Sequence, residues 1–319
     1  MKALQHFHYG GIEQLIWKDI PKPTIKPTEV LIKLESCSLN ASDVELLTGK
    51  PAYARVYGLR KPRVHCLGSD VVGTIVQVGD YVHDWHVGQR IVADNFDHFG
   101  GLAQFAAIPA KRLILLPDNV SIEQAAGLPQ AGAIAQQAMA KLPPSAERVL
   151  IIGAGGGAGH IAVQLAKRHQ LFVSAIDHAS KLEMIEQLGG DQLIDYQQLE
   201  QADLKAPYDL ILDLVASLPY SFWHRQLSPG GQYLLVGGPL KHILSTALFS
   251  PLKAKLQHKH SGLLALKQHP EGITELLNLL ATGQLQVNVD EVFSFDSAIN
   301  AFAKQLSGLT KGKVIVRFD

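Results

Sequence analysis

RVLIIGAGGGAGHIAVQLAKRHQLFVSAID, residues 148–177, is the stretch on which the fold turns. Residues 149–152 are an unbroken run of valine, leucine and isoleucine, the composition of a strand buried on both faces of a parallel sheet. Glycines follow at once. From His160 the spacing changes: Ile161 and Leu165, with Ala158, Ala162 and Ala166, recur every three or four residues, while Gln164, Lys167 and Arg168 take the opposite side. That spacing predicts an amphipathic helix. A second apolar run, residues 171–176, ends on Asp177, about 20 residues after the turn, where a dinucleotide-binding βαβ unit carries the acid for its ribose.

Glycines let the backbone take positive φ and approach a ligand closely, and the N–H groups of the first helical turn present the positive end of the helix dipole to a pyrophosphate. A carboxylate at Asp177 accepts ribose hydroxyls. Two other readings share these features: an S-adenosylmethionine site, which also uses a glycine turn and an acid after the next strand, and a turn that only packs helix on strand. A P-loop is excluded, since no Gly-Lys-Ser/Thr closes the run.

At 319 residues the chain is long enough for two domains, each with its own core. The 29 lysines and arginines match the 29 aspartates and glutamates, so the overall charge does not call for nucleic acid, an acidic partner or a membrane surface. The first residues, MKALQHFHYGGIEQ, hold no signal-like apolar core, and no run approaches the roughly 20 apolar residues of a membrane span. The expectation is a soluble cytoplasmic protein. Two cysteines, Cys37 and Cys66, cannot build a disulfide framework or a four-cysteine zinc lobe and are read as free thiols.

Residues 2–117 show short strands with turn punctuation: 29–34 (EVLIKL) and 71–78 (VVGTIVQV) read as strands, separated by prolines and by Gly79-Asp80 and Gly88-Gln89. This predicts a β-rich module of Greek-key or barrel type. Residues 117–121 read as a hinge and N-cap, and 122–139 as an alanine-rich helix broken near Pro129. After the opening βαβ, strands at 192–196, 210–215 and 232–236 keep the alternating rhythm of a doubly wound sheet, with SPGG at 228–231 as a helix-to-strand turn. Residues 241–269, with His242, His258, His260, His269 and many lysines, read as solvated surface rather than a metal site. Residues 274–281 predict a helix, and 289–295, 297–306 and 314–318 a strand, helix and strand that return to the first domain. The domain reading is 1–118 catalytic, 119–282 nucleotide-binding and 283–319 catalytic again.

In this order the motifs resemble the medium-chain dehydrogenase/reductase superfamily, and specifically its zinc-free, zeta-crystallin-like quinone oxidoreductase branch. The resemblance rests on CSLNASDVELLTG (37–49), LGSDVVGTIVQVG (67–79), VGQRI (87–91), AGGGAG (154–159), Tyr208-Asp209 with Asp213, LSPGGQYLLVGG (227–238) and KGKV (311–314), and it spans nearly the whole chain. It implies a GroES-like β-rich domain joined to a Rossmann domain of α/β class. Where the zinc enzymes of the superfamily carry metal-binding Cys, His and Cys or Asp, this chain has Asn40, Ser69 and, approximately, Gln130, poor ligands for zinc. A site improvised from Cys37, His65 and Cys66 is disfavoured, because adjacent residues of a strand face opposite ways.

The resemblance implies that reduced nicotinamide delivers hydride to a quinone or an α,β-unsaturated carbonyl, with no metal. Asn40 is the candidate for holding the nicotinamide ribose or the substrate carbonyl, against a turn amide that satisfies local backbone. Asp43 reads as a helix N-terminal acid, and Tyr53 as the active-site aromatic, against a core or surface tyrosine. Cofactor contacts are implied at Ala154, Gly156, Gly157, Ala158, Gly159, Asp177, His178, Lys181, Tyr196, Val215, Val236, Gly237 and Lys313. Lys181 and Tyr196 match the branch's NADPH contacts, with His178 able to help if protonated, whereas Asp177 favours NADH. NADPH and NADH therefore stand in balance. Ile134 replaces a threonine usual in the family near the nicotinamide. Readings from other classes are a zinc-free alcohol or sugar dehydrogenase and a non-catalytic NAD(P)H sensor. By analogy, the chain forms a homodimer.

Overall fold

The computed structural model describes residues 1–248, 250, 254–255, 258–267 and 270–318. The chain opens with β1 (Lys2–Gln5) and β2 (Ile16–Asp19), an antiparallel ribbon. β3 (Glu29–Leu39) leads through α1 (Ala41–Thr48) to β4 (Asp70–Val78), β5 (Arg90–Asp94), β6 (Phe105–Pro109) and β7 (Leu113–Leu115). α2 (Ile122–Ala126) and α3 (Pro129–Met139) follow; the break falls where Pro129, lacking an N–H, begins a new helix rather than continuing the old one. Strands and helices then alternate: β8 (Arg148–Ile152), α4 (Gly159–Arg168), β9 (Phe172–Asp177), α5 (Ala179–Gln187) and β10 (Gln192–Asp195), then β11 (Tyr208–Asp213), α6 (Tyr220–Trp223), β12 (Leu227–Leu235), α7 (Leu240–Leu248) and β13 (His260–Leu263). α8 (Pro270–Ala281), β14 (Val289–Ser294), α9 (Ala298–Leu306) and β15 (Lys313–Arg317) complete the chain.

These elements form two compact units, Met1–Gln130 with Gln268–Asp319, and Ala131–Lys267. The divisions differ from the 118/119 and 282/283 boundaries read from the sequence. In the first unit α2 packs on β3 and β4, α8 packs on β7, and the Asn119 amide donates to Ala281 O at 2.8 Å, so both helices stay with the β-rich sheet.

The first unit is a seven-stranded sheet ordered β14-β15-β3-β4-β5-β7, with β6 also on β3. Its long central strand takes β4 along one edge, while the other edge is shared by β6, opposite residues 29–33, and β15, opposite 36–39. The C-terminal strand therefore belongs to this sheet. Val30, Ile32, Leu34, Val71, Ile75, Ile91 and Val314 form its core, with Phe295 and Phe302 packed in.

The second unit is a parallel six-stranded sheet ordered β10-β9-β8-β11-β12-β13. Numbered from β8, this is the order 3-2-1-4-5-6 of a dinucleotide-binding doubly wound fold, with its topological switch at β8. The predicted strand at 149–152 is fully buried, as a central parallel strand requires. Two expectations are corrected. SPGG is not a helix-to-strand turn: β12 begins at Leu227, paired with Tyr208, and the register next resumes at Gln232 opposite Leu210, so residues 228–231 loop out of the ladder with Gly230 at φ +77°. In the 241–269 segment His258 and His260 are exposed, but His242 is buried, because α7 turns that side inward; His269 lies outside the described residues.

Candidate functional site

In the second unit the candidate cofactor residues gather at the carboxyl ends of the parallel strands. The glycine turn follows β8, Asp177 ends β9, Tyr196 follows β10, Val215 follows β11, and Val236 with Gly237 follows β12. This is the edge at which such sheets bind ligands. Gly153 takes φ +85°, and a Cβ on Gly159 would lie 2.1 Å from Gly153 O and 2.6 Å from Ala154 Cα. The turn and the helix start are thus packed backbone to backbone, which only glycine at 159 permits. Those two features give the cradle that a pyrophosphate needs: a tight glycine turn and the N-terminus of a ten-residue helix, whose first N–H groups have no partner within the helix.

Asp177 is built into this turn. One carboxylate oxygen accepts from Gly155 N at 2.7 Å; the other accepts from His178 N at 2.8 Å and lies 3.2 Å from Lys181 Nζ. Asp177 and Lys181 are 9% and 6% exposed in their side chains, and the Lys181 stem lies against Gly155. The acid expected to favour NADH and the lysine expected to favour NADPH therefore form one ion pair, each compensating the other's charge. His178 is the N-cap of α5, its Nδ1 accepting from Ser180 N at 3.2 Å, and a doubly protonated ring would lose that cap. Its ring centroid lies 5.9 Å from that of Tyr196. Asp213, mentioned in the sequence only as part of a motif, shapes the loop after β11: it accepts from Ala216 N at 2.7 Å, Val215 N at 3.1 Å and the Tyr233 hydroxyl at 2.8 Å.

The first unit contains a buried polar cluster. Asn40 caps α1, and its N–H donates to Asp43 at 2.8 Å, while Gly68 N donates to the other Asp43 oxygen at 2.8 Å. Asp43 thus ties α1 to the segment before β4, which extends its expected role as a helix N-terminal acid. The Asn40 side chain is held at both ends: Lys313 Nζ donates to Oδ1 at 2.6 Å, and Nδ2 donates to Asp70 at 2.9 Å. Lys313 lies 3.8 Å from the same Asp70 oxygen. Asp70 also accepts from Gln130 N at 3.2 Å, placing a carboxylate at the start of α3, and the Ser42 hydroxyl donates to the Gln130 side chain at 3.1 Å.

Burial dominates the electrostatics of this cluster. It pushes the Asp43 carboxyl up to about 6 despite two N–H donors. It raises Asp70 and lowers Lys313, and each is drawn back toward its ion by the other. The Cys37 thiol, fully buried beside these acids, is pushed well up, and Cys66 rises to about 12, so neither is a reactive thiolate. Asp94 on β5 is raised to about 7 by burial and by the charge of Asp70.

Asn40 serves as the amide at the start of α1, and its side chain also joins Lys313 to Asp70. Tyr53 lies half-buried in the 3-10 turn after α1, its hydroxyl donating to Glu45 at 2.7 Å. Lys313, expected among the cofactor contacts, lies on β15, which pairs with β3, and its ammonium is buried inside the first unit on Asn40 and Asp70. Asp70 was legible only as the acid of Gly68-Ser69-Asp70; its partner 243 residues away was not. The donors at the position of the superfamily's catalytic zinc do not fit that metal. Asn40 Oδ1 faces an ammonium, Ser69 lies beside Asp70, and the Gln130 carbonyl oxygen accepts from Ser42. A lysine cation already neutralises the buried acid that a metal ion would need. Among the described residues no group of three His, Cys, Asp or Glu is placed to hold a metal, and no helix is long and apolar enough to cross a membrane.

Comparison with known proteins covers the chain almost end to end. Residues 26–118 match the family model "Alcohol dehydrogenase GroES-like domain", and 188–316 match "Zinc-binding dehydrogenase". The chain is 33% identical to the chloroplast envelope quinone oxidoreductase homolog of Arabidopsis thaliana, over 99% of this chain and 98% of that protein. It is 29% identical to the NADPH-dependent alkenal/one oxidoreductase of the same plant, a chloroplastic protein, over 99% and 79%. Among solved structures, the quinone oxidoreductase from Coxiella burnetii superposes with a TM-score of 0.88 at 26% identity, covering 99% of each chain.

Proposed function

The chain belongs to the medium-chain dehydrogenase/reductase superfamily, in its quinone oxidoreductase-like branch, and from that premise we propose a zinc-independent NAD(P)H oxidoreductase that passes hydride to a quinone or an α,β-unsaturated carbonyl. The observation that supports this reading is the Lys313–Asn40–Asp70 network, an ammonium and an amide gathered on a buried acid around Asn40, which by the resemblance stands at a zinc-ligand position of the superfamily's metal enzymes. Oxidation of a simple alcohol needs its hydroxyl polarised and deprotonated. An electron-poor quinone or enone accepts hydride with only orientation and hydrogen bonding from the protein, and the oxyanion or enolate so formed takes its proton from water.

Residues 153–159 and the start of α4 would hold the pyrophosphate, with Asp177 bracing the turn through Gly155 N and able to accept ribose hydroxyls on its remaining lone pairs. Bound there, reduced nicotinamide supplies the hydride. Because Lys181 compensates Asp177, both NADPH and NADH are admitted. Asn40, with Oδ1 and one Nδ2 hydrogen committed, has one further N–H to donate to an acceptor oxygen, and Lys313 and Asp70 fix the direction of that donor. Tyr53 supplies an aromatic wall whose hydroxyl is held by Glu45. Homodimer formation and a cytoplasmic location belong to the same proposal; size-exclusion chromatography with light scattering tests the first and cell fractionation the second.

Transfer is tested with nicotinamide deuterated at C4 and a simple enone. Deuterium on the β-carbon of the saturated product is the expected result. Oxidation of the nucleotide without deuterium in the product, or no turnover of any quinone or enone by a preparation that binds nucleotide, refutes the reading.

A further inference from the structure

The equal counts of basic and acidic residues conceal a local segregation. Between Glu45 and Asp70 the chain contains no aspartate or glutamate, yet Lys50, Arg55, Arg60, Lys61 and Arg63 all fall there. Lys50, Arg60, Lys61 and Arg63 are exposed. Among the described residues the two most exposed large hydrophobic side chains lie between them: Val56 at 80% and Leu59 at 79%.

Their exposure is built in, because the loop is fastened from beneath. The Tyr9 hydroxyl donates to Gly58 O, Arg55 Nε donates to Gly49 O at 3.0 Å, and the Arg55 guanidinium sits 4.8 Å from the Tyr9 ring centroid. The Tyr57 hydroxyl donates to Asp97 at 3.2 Å, its ring meets Phe99 edge-on at 5.7 Å, and Arg63 N closes the turn on Tyr57 O at 2.9 Å. Ala54 and Pro62 are buried at either foot. The base is held by side chains while the tip offers two aliphatic groups and three cations to solvent.

We propose that this tip, residues 56–63, docks the protein reversibly on an anionic lipid surface, with Val56 and Leu59 entering the boundary between headgroups and acyl chains while Arg60, Lys61 and Arg63 meet lipid phosphates. A convex tip with two aliphatic side chains suits a lipid interface, into which small apolar groups insert beneath a cationic collar. At eight residues it falls well short of the roughly 20–30 residues a side of a stable protein interface. Nucleic acid is disfavoured too, since the exposed apolar groups are aliphatic and offer no stacking face. The docking is peripheral, and it is independent of the hydride chemistry: either can fail while the other stands.

The test is flotation of the full chain with vesicles of phosphatidylcholine alone or mixed with phosphatidylglycerol. The wild type is expected to float with the anionic vesicles at low salt, to be released by molar salt, and to stay unbound with phosphatidylcholine alone. Each cation near an anionic surface contributes roughly a fivefold factor, so R60S/K61S should lower partitioning by about 30-fold, and V56S/L59S should lower it by about tenfold or more. Thermal melts of both variants should match the wild type, because none of the four side chains packs into the core. Failure of the wild type to float with anionic vesicles overturns the proposal, as does flotation unchanged in either variant. So does binding of soluble polyphosphate that R60S/K61S abolishes while vesicles are ignored, which would assign the loop to a soluble anion.

Discussion

At the scale of single residues, the decisive arrangement is a lysine, an amide and an acid buried together. Removing one member of a buried ion pair leaves the other charge unpaired, which costs about 3–5 kcal/mol, whereas replacing both can be nearly neutral. Lys313→Met alone is therefore expected to lose about that much stability by chemical denaturation, and K313M/D70N to recover most of it; additive losses would show that Lys313 and Asp70 are not coupled. Protonation gives a second prediction. Asp94 is raised to about 7 in the folded chain, above its unfolded value near 3.9, so the folded state holds the proton more tightly. Its contribution is fully present below about pH 4 and is lost as pH rises through about 7. The stability difference between wild type and Asp94→Asn should fall across that window and then level off; a difference that is flat with pH contradicts the assignment. Asn40 and the acid of Gly68-Ser69-Asp70 were legible as motifs, but the role of Lys313 was not. The pairing spans 273 residues from Asn40 and depends on β15 joining β3, which no local pattern encodes.

At the scale of elements, the βαβ unit was nearly complete in the sequence, because its signals are local: an apolar run for a buried strand, glycines for the turn, and a three-to-four spacing for α4. What escaped was long-range or irregular. The four residues of SPGG look like a turn and do leave the ladder, but β12 already pairs with β11 before them, so only the sheet register reveals a loop within the strand. Asp177 was read for its chemistry toward a ribose, while its bonds to Gly155 N and Lys181 depend on how the turn folds back. The packing of that turn makes a graded prediction. A Cβ at 159 meets backbone at 2.1 Å and cannot be relieved by a rotamer change, whereas a Cβ at 156 meets only Gly153 O at 3.4 Å. Gly159→Ala is expected to weaken NAD(P)H binding more than tenfold in a fluorescence titration and to lower the melting temperature, while Gly156→Ala leaves melting close to wild type. Equal melting temperatures for the two variants would show that the close approach at 159 is unimportant.

At the scale of the whole molecule, two units with separate cores divide the work. The second unit carries a glycine turn and a helix start at the carboxyl edge of its parallel sheet, and the β-rich unit contains a buried ionic cluster that fixes the Asn40 amide. Fold class was readable because strand–helix alternation and turn-punctuated strands are properties of composition along the chain. The unit boundaries were not, since α2 and α8 are assigned by what they pack against rather than by what they contain. Overall charge likewise says little about surfaces when 29 cations and 29 acids are unevenly placed. Reduction without a metal is tested by nicotinamide absorbance recorded after exhaustive chelation, with NADPH or NADH as donor and a simple quinone as acceptor. Turnover equal to that of the untreated protein is the predicted result. Activity that disappears on chelation and returns with added zinc would contradict it.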